Sequence, residues 1–131
     1  MLALSLLAAN ADADVVVVVS ARSSITSLSA EQTARIFLGK SDTLPNGGHA
    51  VPVDQAEGNA IRDEFYAKVV GKNSSQLNAY WAKEIFTGSS HPPKLLEGNL
   101  TVRKAVANNP NAIGYIDKSA LDSSVRIILE P

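Results

Sequence analysis

Five consecutive valines, residues 15–19, restrict this chain more than any other segment. A β-branched side chain is stiff at χ1, loses freedom in a helix and packs well on a pleated surface. A strand with one wet face alternates apolar and polar residues; a strand apolar on both faces must be covered on both. The run therefore predicts an interior strand of a parallel or mixed sheet, with other elements packed above and below it.

The rest of the chain supplies those elements. Residues 20–26 form a polar turn. Ser29, with Gln32 three residues on, makes a capping box. The helix behind it carries Ala30, Ala34, Phe37 and Leu38 on one face and stops at Gly39. Pro45-Asn46-Gly47-Gly48 marks a turn within the loop of residues 40–50. Val51-Pro52-Val53 reads as a short strand. Asn59 is a good N-cap, and Ile61, Phe65, Val69 and Val70 form the buried stripe of a helix ending at Gly71. A third helix, capped by Ser74 or Ser75, aligns Leu77, Tyr80, Trp81 and Ile85. Residues 87–93 are extended and rich in turn formers. Asn99 caps a helix bearing Val102, Ala105 and Val106, which Asn108-Asn109-Pro110 ends. Residues 112–116 and 125–129 are strands. The order β-α-β-α-α-α-β-β is that of an α/β layer. Asn73-Ser74-Ser75 and Asn99-Leu100-Thr101 match the glycosylation pattern, but helix capping explains both.

The whole chain has 131 residues, the size of one domain. With 45% hydrophobic and 19% charged residues it is an ordinary folding sequence. A net charge of −1 and no basic run speak against a nucleic-acid partner. There is no cysteine, so thiolate and disulfide chemistry are excluded. His49 and His91 are far apart in loop-like stretches, a poor basis for a metal site. No nucleophile elbow and no phosphate or dinucleotide glycine motif occurs. Asp54, Glu57, Asp63 and Glu64 fit a solvated helix start better than a catalytic pair. The chain reads as no enzyme, with no cofactor and no metal.

Residues 1–9 are an apolar run, and Ala11-Asp12-Ala13 places small residues where a leader peptidase cuts. Residues 1–13 are therefore expected to be a truncated signal peptide and residues 14–131 the domain, exported to the periplasm or secreted. No Lys or Arg precedes Arg22, so the cationic start of such a leader is missing. The run is shorter than the roughly 20 apolar residues that span a bilayer.

One junction carries chemistry. Val51-Pro52-Val53-Asp54-Gln55 leads through Ala56-Glu57-Gly58-Asn59 into the helix that starts Ala60-Ile61-Arg62. A strand feeding a helix through a small glycine-containing turn aims backbone N–H groups and the positive end of a helix dipole at one spot, which suits an anion. Candidate ligands are the backbone at Gly58 and Ala60 and the side chains of Gln55, Asn59 and Arg62. Ser20, Arg22 and Ser23 follow the valine strand, and strand C-terminal ends are where ligands gather in open α/β sheets. Each has a plainer reading. Asn59 simply caps, Arg62 pairs with Asp63 or Glu31, and Gln55 stabilises its loop. Thr87-Gly88-Ser89-Ser90 is a weaker addition to the same face.

The series Ile36-Phe37-Leu38-Gly39-Lys40, the Pro-Asn-Gly loop, residues 51–66, Tyr80-Trp81-Ala82-Lys83-Glu84-Ile85-Phe86-Thr87-Gly88 and Asn109-Pro110-Asn111-Ala112-Ile113-Gly114-Tyr115-Ile116-Asp117 resembles the substrate-binding proteins of phosphate ABC transporters. It is most similar to their short, single-module relatives, and the likeness spans about residues 15–117. It implies a lobe of the type 2 periplasmic-binding-protein kind: three layers, a mixed sheet flanked by helices. Full-length members hold an oxyanion between two such lobes, and this chain is long enough for one. In them the strand-to-helix turn runs roughly Arg-x-Asp-Gly-Ser-Gly-Thr, and its Arg, Ser and Thr contact phosphate. Aligned on Gly58, this chain places Gln55, Glu57, Asn59 and Ile61 at the Arg, Asp, Ser and Thr positions. The guanidinium and one hydroxyl are absent, and both favour a buried phosphate.

Two functions follow. The first is a non-catalytic solute-binding protein of the bacterial envelope that takes a small inorganic oxyanion, phosphate or similar, and works with an ABC permease or envelope partner. The second is a structural module that kept the lobe and lost the ligand, and forms a homodimer in which a second chain supplies the missing lobe.

Overall fold

The computed structural model describes residues 14–131, so the signal-peptide expectation for residues 1–13 lies outside the described residues. β1 (Val15–Ser20), β2 (Val51–Gln55), β3 (Lys94–Leu96), β4 (Ala112–Asp117) and β5 (Val125–Leu129) form one mixed sheet in the order β3-β2-β4-β1-β5. β2 runs parallel to β3 and β4, while β1 runs antiparallel to β4 and β5. The helices are α1 (Ala30–Phe37), α2 (Ala60–Phe65), continued by a π-helical turn over Tyr66–Val70, α3 (Ser74–Thr87) and α4 (Asn99–Ala107).

The valine run is an interior strand, and every residue of β1 is buried. Successive side chains of a strand point to opposite faces, so the run feeds two cores. Val15, Val17 and Val19 pack with Phe37, Phe65, Leu77, Trp81 and Tyr115 under α1, α2 and α3. Val16 and Val18 pack with Val102 and Val106 of α4 and with Val53 and Ile116. At about 1.5 kcal/mol or more for each buried valine side chain, this segment is a large stabilising element of the sheet. α4 comes so close to β4 that a Cβ on Gly114 would lie 2.8 Å from Val102 Cγ1 and 3.0 Å from both Val106 Cγ2 and Val53 Cγ2.

The capping box at Ser29 is present: its Oγ accepts from Gln32 N at 3.0 Å, and Gln32 Oε1 accepts from Ser29 N at 2.9 Å. α1 buries Thr33, Ile36 and Phe37, and Ala30 is exposed, because the helix leans on the face one position round from the expected stripe. α3 is capped by Asn73, not by Ser74 or Ser75; Asn73 Oδ1 accepts from Gln76 N at 2.9 Å. Ile85, expected in the α3 stripe, is 58% exposed, because only the first part of that helix leans on the sheet and its core residues are Leu77 and Trp81. β3 is an addition to the expected pattern. It is three residues long at the sheet edge, behind Pro92-Pro93, where no periodicity announces a strand. Among the described residues no helix is long and apolar enough to cross a membrane.

Candidate anion-binding turn

Parallel β2, β3 and β4 end on the same side of the sheet, and β2 and β3 there feed α2 and α4. The two connections lie side by side, with Ala56 N donating to Leu96 O at 3.1 Å. Asn59 N donates to Ala56 O at 3.3 Å, closing a four-residue turn with Gly58 third. Gly58 has φ +99, a backbone state that L side chains rarely adopt, and a Cβ there would meet nothing within 4 Å. Among the described residues no acceptor meets the amides of Gly58, Ala60 and Ile61. Three donors and the positive end of α2 therefore share an open edge.

Of the side chains around the turn, the exposed Glu57 accepts from Ser74 Oγ at 3.4 Å and Asn78 Nδ2 at 3.3 Å, while Asn59 and Gln55 are engaged with the sheet side. Asn59 is the N-cap by position, but its side chain makes no cap bond. Its Nδ2 donates to Gln55 Oε1 at 3.3 Å and to Glu97 O at 3.1 Å. Gln55 is 1% exposed, and its Nε2 donates to Asn99 Oδ1 at 2.9 Å and to Tyr115 O at 3.0 Å. Asn99 is the first residue of α4, and its Oδ1 also accepts from Asp117 N at 3.1 Å; the N-cap is Gly98. Asn99 is thus a strut between β2, β4 and α4 and not the expected cap.

Beneath the turn lies a buried polar cluster. Asp54 is 2% exposed, so the solvated-carboxylate reading does not hold for it. Its Oδ2 accepts from Tyr66 Oη at 2.5 Å, and its Oδ1 accepts from Tyr115 Oη and, at 2.8 Å, from Gln55 N. Arg62 turns back under the turn: its Nη1 donates to Gln55 O at 2.8 Å and stands 3.4 Å from Asp54 Oδ2. Arg62 therefore pairs with neither Asp63 nor Glu31, and its charge is answered from within. Burial, and then the charge and hydrogen bond of Asp54, push both phenols far above the ordinary tyrosine range, so both remain proton donors. Tyr115 also stacks on Phe65, with ring centres 4.1 Å apart. Burial of Asp54 follows from its place in a strand between two others, and no local sequence signal pairs Tyr66 or Tyr115 with it.

Ser20, Arg22 and Ser23 are at the opposite end of the sheet. β1 is antiparallel to β4 and β4 is parallel to β2, so the C-terminal end of β1 lies beside the start of β2. Val19 pairs with Ile113 and Pro52 pairs with the same Ile113. Ser20 Oγ and Arg22 Nη2 donate to Ala107 O, at 3.1 and 3.3 Å, and so tie down the end of α4. Ser23 Oγ accepts from Ile25 N at 3.1 Å. Arg126 clamps the same loop through Ser23 O and Ile25 O, both at 2.7 Å, and Ala21 O at 3.0 Å. The structure thus gathers Gln55, Gly58, Asn59, Ala60 and Arg62, and it does not bring the serine loop to them. Thr87 and Ser89 are also remote: Thr87 is the last residue of α3 and Ser89 lies just beyond it, at the far end of a 14-residue helix about 20 Å long whose first residue, Ser74, touches Glu57.

The fold has known counterparts. A solved structure described as a phosphate ABC transporter substrate-binding protein of Clostridium perfringens, with bound phosphate, superposes with a TM-score of 0.70 at 23% identity, covering 88% of this chain and 44% of that one. The fold is that of a lobe of the phosphate-binding proteins. An ABC-type phosphate transport receptor of Vibrio cholerae matches with a TM-score of 0.62 at 18% identity, and PstS of Borrelia burgdorferi with 0.66 at 13%. Each match covers 88% of this chain and under half of the other, 45% and 46% respectively for the last two. The chain thus spans less than half the length of the phosphate-binding proteins it matches. No family model and no curated protein matches it. The expected mixed α/β lobe is the lobe observed. Among the described residues no group of three His, Cys, Asp or Glu side chains is placed to hold a metal.

Proposed function

We propose that this domain is a non-catalytic solute-binding lobe of the bacterial envelope, and that the turn at Gly58 receives a small inorganic oxyanion such as phosphate. The observation that carries the reading is the set of amides at Gly58, Ala60 and Ile61, which have no acceptor among the described residues. They stand at the C-terminal edge of β2, where open α/β sheets take their ligands. The neighbouring fold described with bound phosphate supports the choice of anion. Neutral amides hold an anion less strongly than a guanidinium fork does. With Arg62 committed to Asp54, binding by this lobe alone is weak, and a second surface, from a permease or another envelope protein, completes the cradle. Isothermal titration with phosphate and sulfate tests this: saturable, salt-sensitive heat is expected, and none with either anion up to tens of millimolar overturns it.

One observation favours a second reading. Gln55 Nε2, Asn59 Nδ2 and Arg62 Nη1 all donate to the protein itself. A lobe so satisfied can serve as an interaction module that pairs with a copy of itself. Light scattering separates the two: a dimer without anion binding belongs to the second reading, a monomer with anion binding to the first.

A further inference from the structure

A cavity of about 360 Å³ lies between α2 with its π-helical turn and the start of α3. Its size is within the range of small-ligand pockets. Tyr66, Ala67 and Leu77 give it apolar wall, and Arg62, Lys72 and Ser74 give it polar wall. Arg62 is 92% buried on its 8% exposure, yet only its Nη1 is bonded. Its Nε and Nη2 meet no acceptor among the described residues, and no fully buried side-chain nitrogen lacks a partner, so these two groups reach open space. Lys72 has no carboxylate partner among the described residues; its Nζ stands 5.5 Å from the Tyr80 ring centre. α3 begins at the same wall, and the amides of Ser74 and Ser75 are without acceptors. Asp63 also lines the cavity, and Glu57 Oε2 accepts from Ser74 Oγ at 3.4 Å on its wall; with Arg62 paired to Asp54, Lys72 is the lining cation without a carboxylate partner among the described residues.

We propose that this cavity binds the carboxylate of a small organic acid, with the free Nε and Nη2 edge of Arg62 as a two-pronged donor and Lys72 as the second cation. A planar carboxylate matches that edge in a way that a spherical ion does not. The apolar wall takes the body of the acid. Asp63 disfavours a second negative charge, which points to a monocarboxylate and away from phosphate.

The probe is benzoate, titrated into the full chain by calorimetry or by amide chemical shifts, with benzyl alcohol as its neutral analogue. Benzoate is expected to bind at least about tenfold more tightly than benzyl alcohol, on the strength of charge-assisted hydrogen bonds. Lys72→Gln is expected to weaken benzoate about fivefold or more by the loss of one partly exposed cation. Ala67→Phe fills the cavity from an exposed position and is expected to abolish binding while the melting temperature holds. Phosphate at equal concentration should not displace benzoate. Absence of benzoate binding, equal affinity for the alcohol, indifference to Lys72→Gln or displacement by phosphate would each overturn the assignment. Because Lys72 is only half-buried, that variant decides the matter even if Ala67→Phe does not fold.

Discussion

Arg62 and Asp54 form an ion pair inside the protein, with Nη1 3.4 Å from Oδ2 and side chains only 10% and 2% exposed. The pair closes the floor of the Gly58 turn. It also decides the electrostatics of that turn, since the nearest buried cation is already matched by the nearest buried carboxylate.

Breaking one half of this pair leaves a charge without compensation in a dry setting. Asp54→Asn is expected to cost about 3–5 kcal/mol, the usual penalty for a buried pair broken on one side. Asp54→Asn combined with Arg62→Met should recover part of that loss, because no lone charge remains. Urea denaturation of the two variants measures the difference. A double variant no more stable than Asp54→Asn alone would show that geometry, not charge, holds the cluster.

The two phenols on Asp54 make a prediction about alkaline pH. Their folded pKa values are raised above the unfolded value of about 10, so the folded state keeps protons that the unfolded state releases. The stability they contribute is complete below pH 10 and is lost as pH rises beyond it. With two groups, the loss approaches about 2.7 kcal/mol per pH unit. Denaturant midpoints between pH 8 and 11.5 should be flat and then fall steeply. Of the three tyrosines, Tyr66 and Tyr115 should ionise only as the protein unfolds, visible as phenolate absorbance that rises with the loss of circular dichroism.

Gly114 is the point where α4 meets the sheet. Its missing Cβ leaves the space that methyl groups of Val102, Val106 and Val53 occupy. Gly114→Ala forces those side chains or the helix to shift, at an expected cost of about 1–3 kcal/mol. Thermal melting reads this directly. A change below half a kcal/mol would mean that α4 slides away at no penalty and that the packing there is loose.

Much of the fold was legible because its signals are local. The valine run declares an interior strand whatever its neighbours, and Ser29 with Gln32 announces α1 in four residues. Strand direction is different. Whether β1 ends beside β2 or opposite it depends on pairing with β4, nearly a hundred residues later, and nothing near Ser20 encodes that. For this reason the sequence alone groups the serine loop with a turn from which the sheet separates it. Asn59 and Asn99 show the same limit on a smaller scale. An asparagine at a helix start bonds either to the helix amides or across to another element, and here Gln55 competes successfully for both. The burial of Asp54 is likewise a property of three strands together.

Ala60 offers a clean test of the amide turn. It is the first residue of α2, exposed, with an N–H that meets no acceptor among the described residues. Proline is favoured at this first helical position, because its fixed φ suits the helix and the missing N–H was unpaired anyway. Proline also requires an extended residue before it, and Asn59 is extended, with φ −74 and ψ 130. Ala60→Pro therefore deletes one donor from the proposed oxyanion site and leaves the fold in place. Phosphate affinity should fall about tenfold to a hundredfold, the worth of one hydrogen bond to a charged group. The melting temperature should hold or rise slightly, since proline narrows the unfolded ensemble. If phosphate binds native protein and variant equally well, the anion sits elsewhere and the turn at Gly58 is only a connection between β2 and α2.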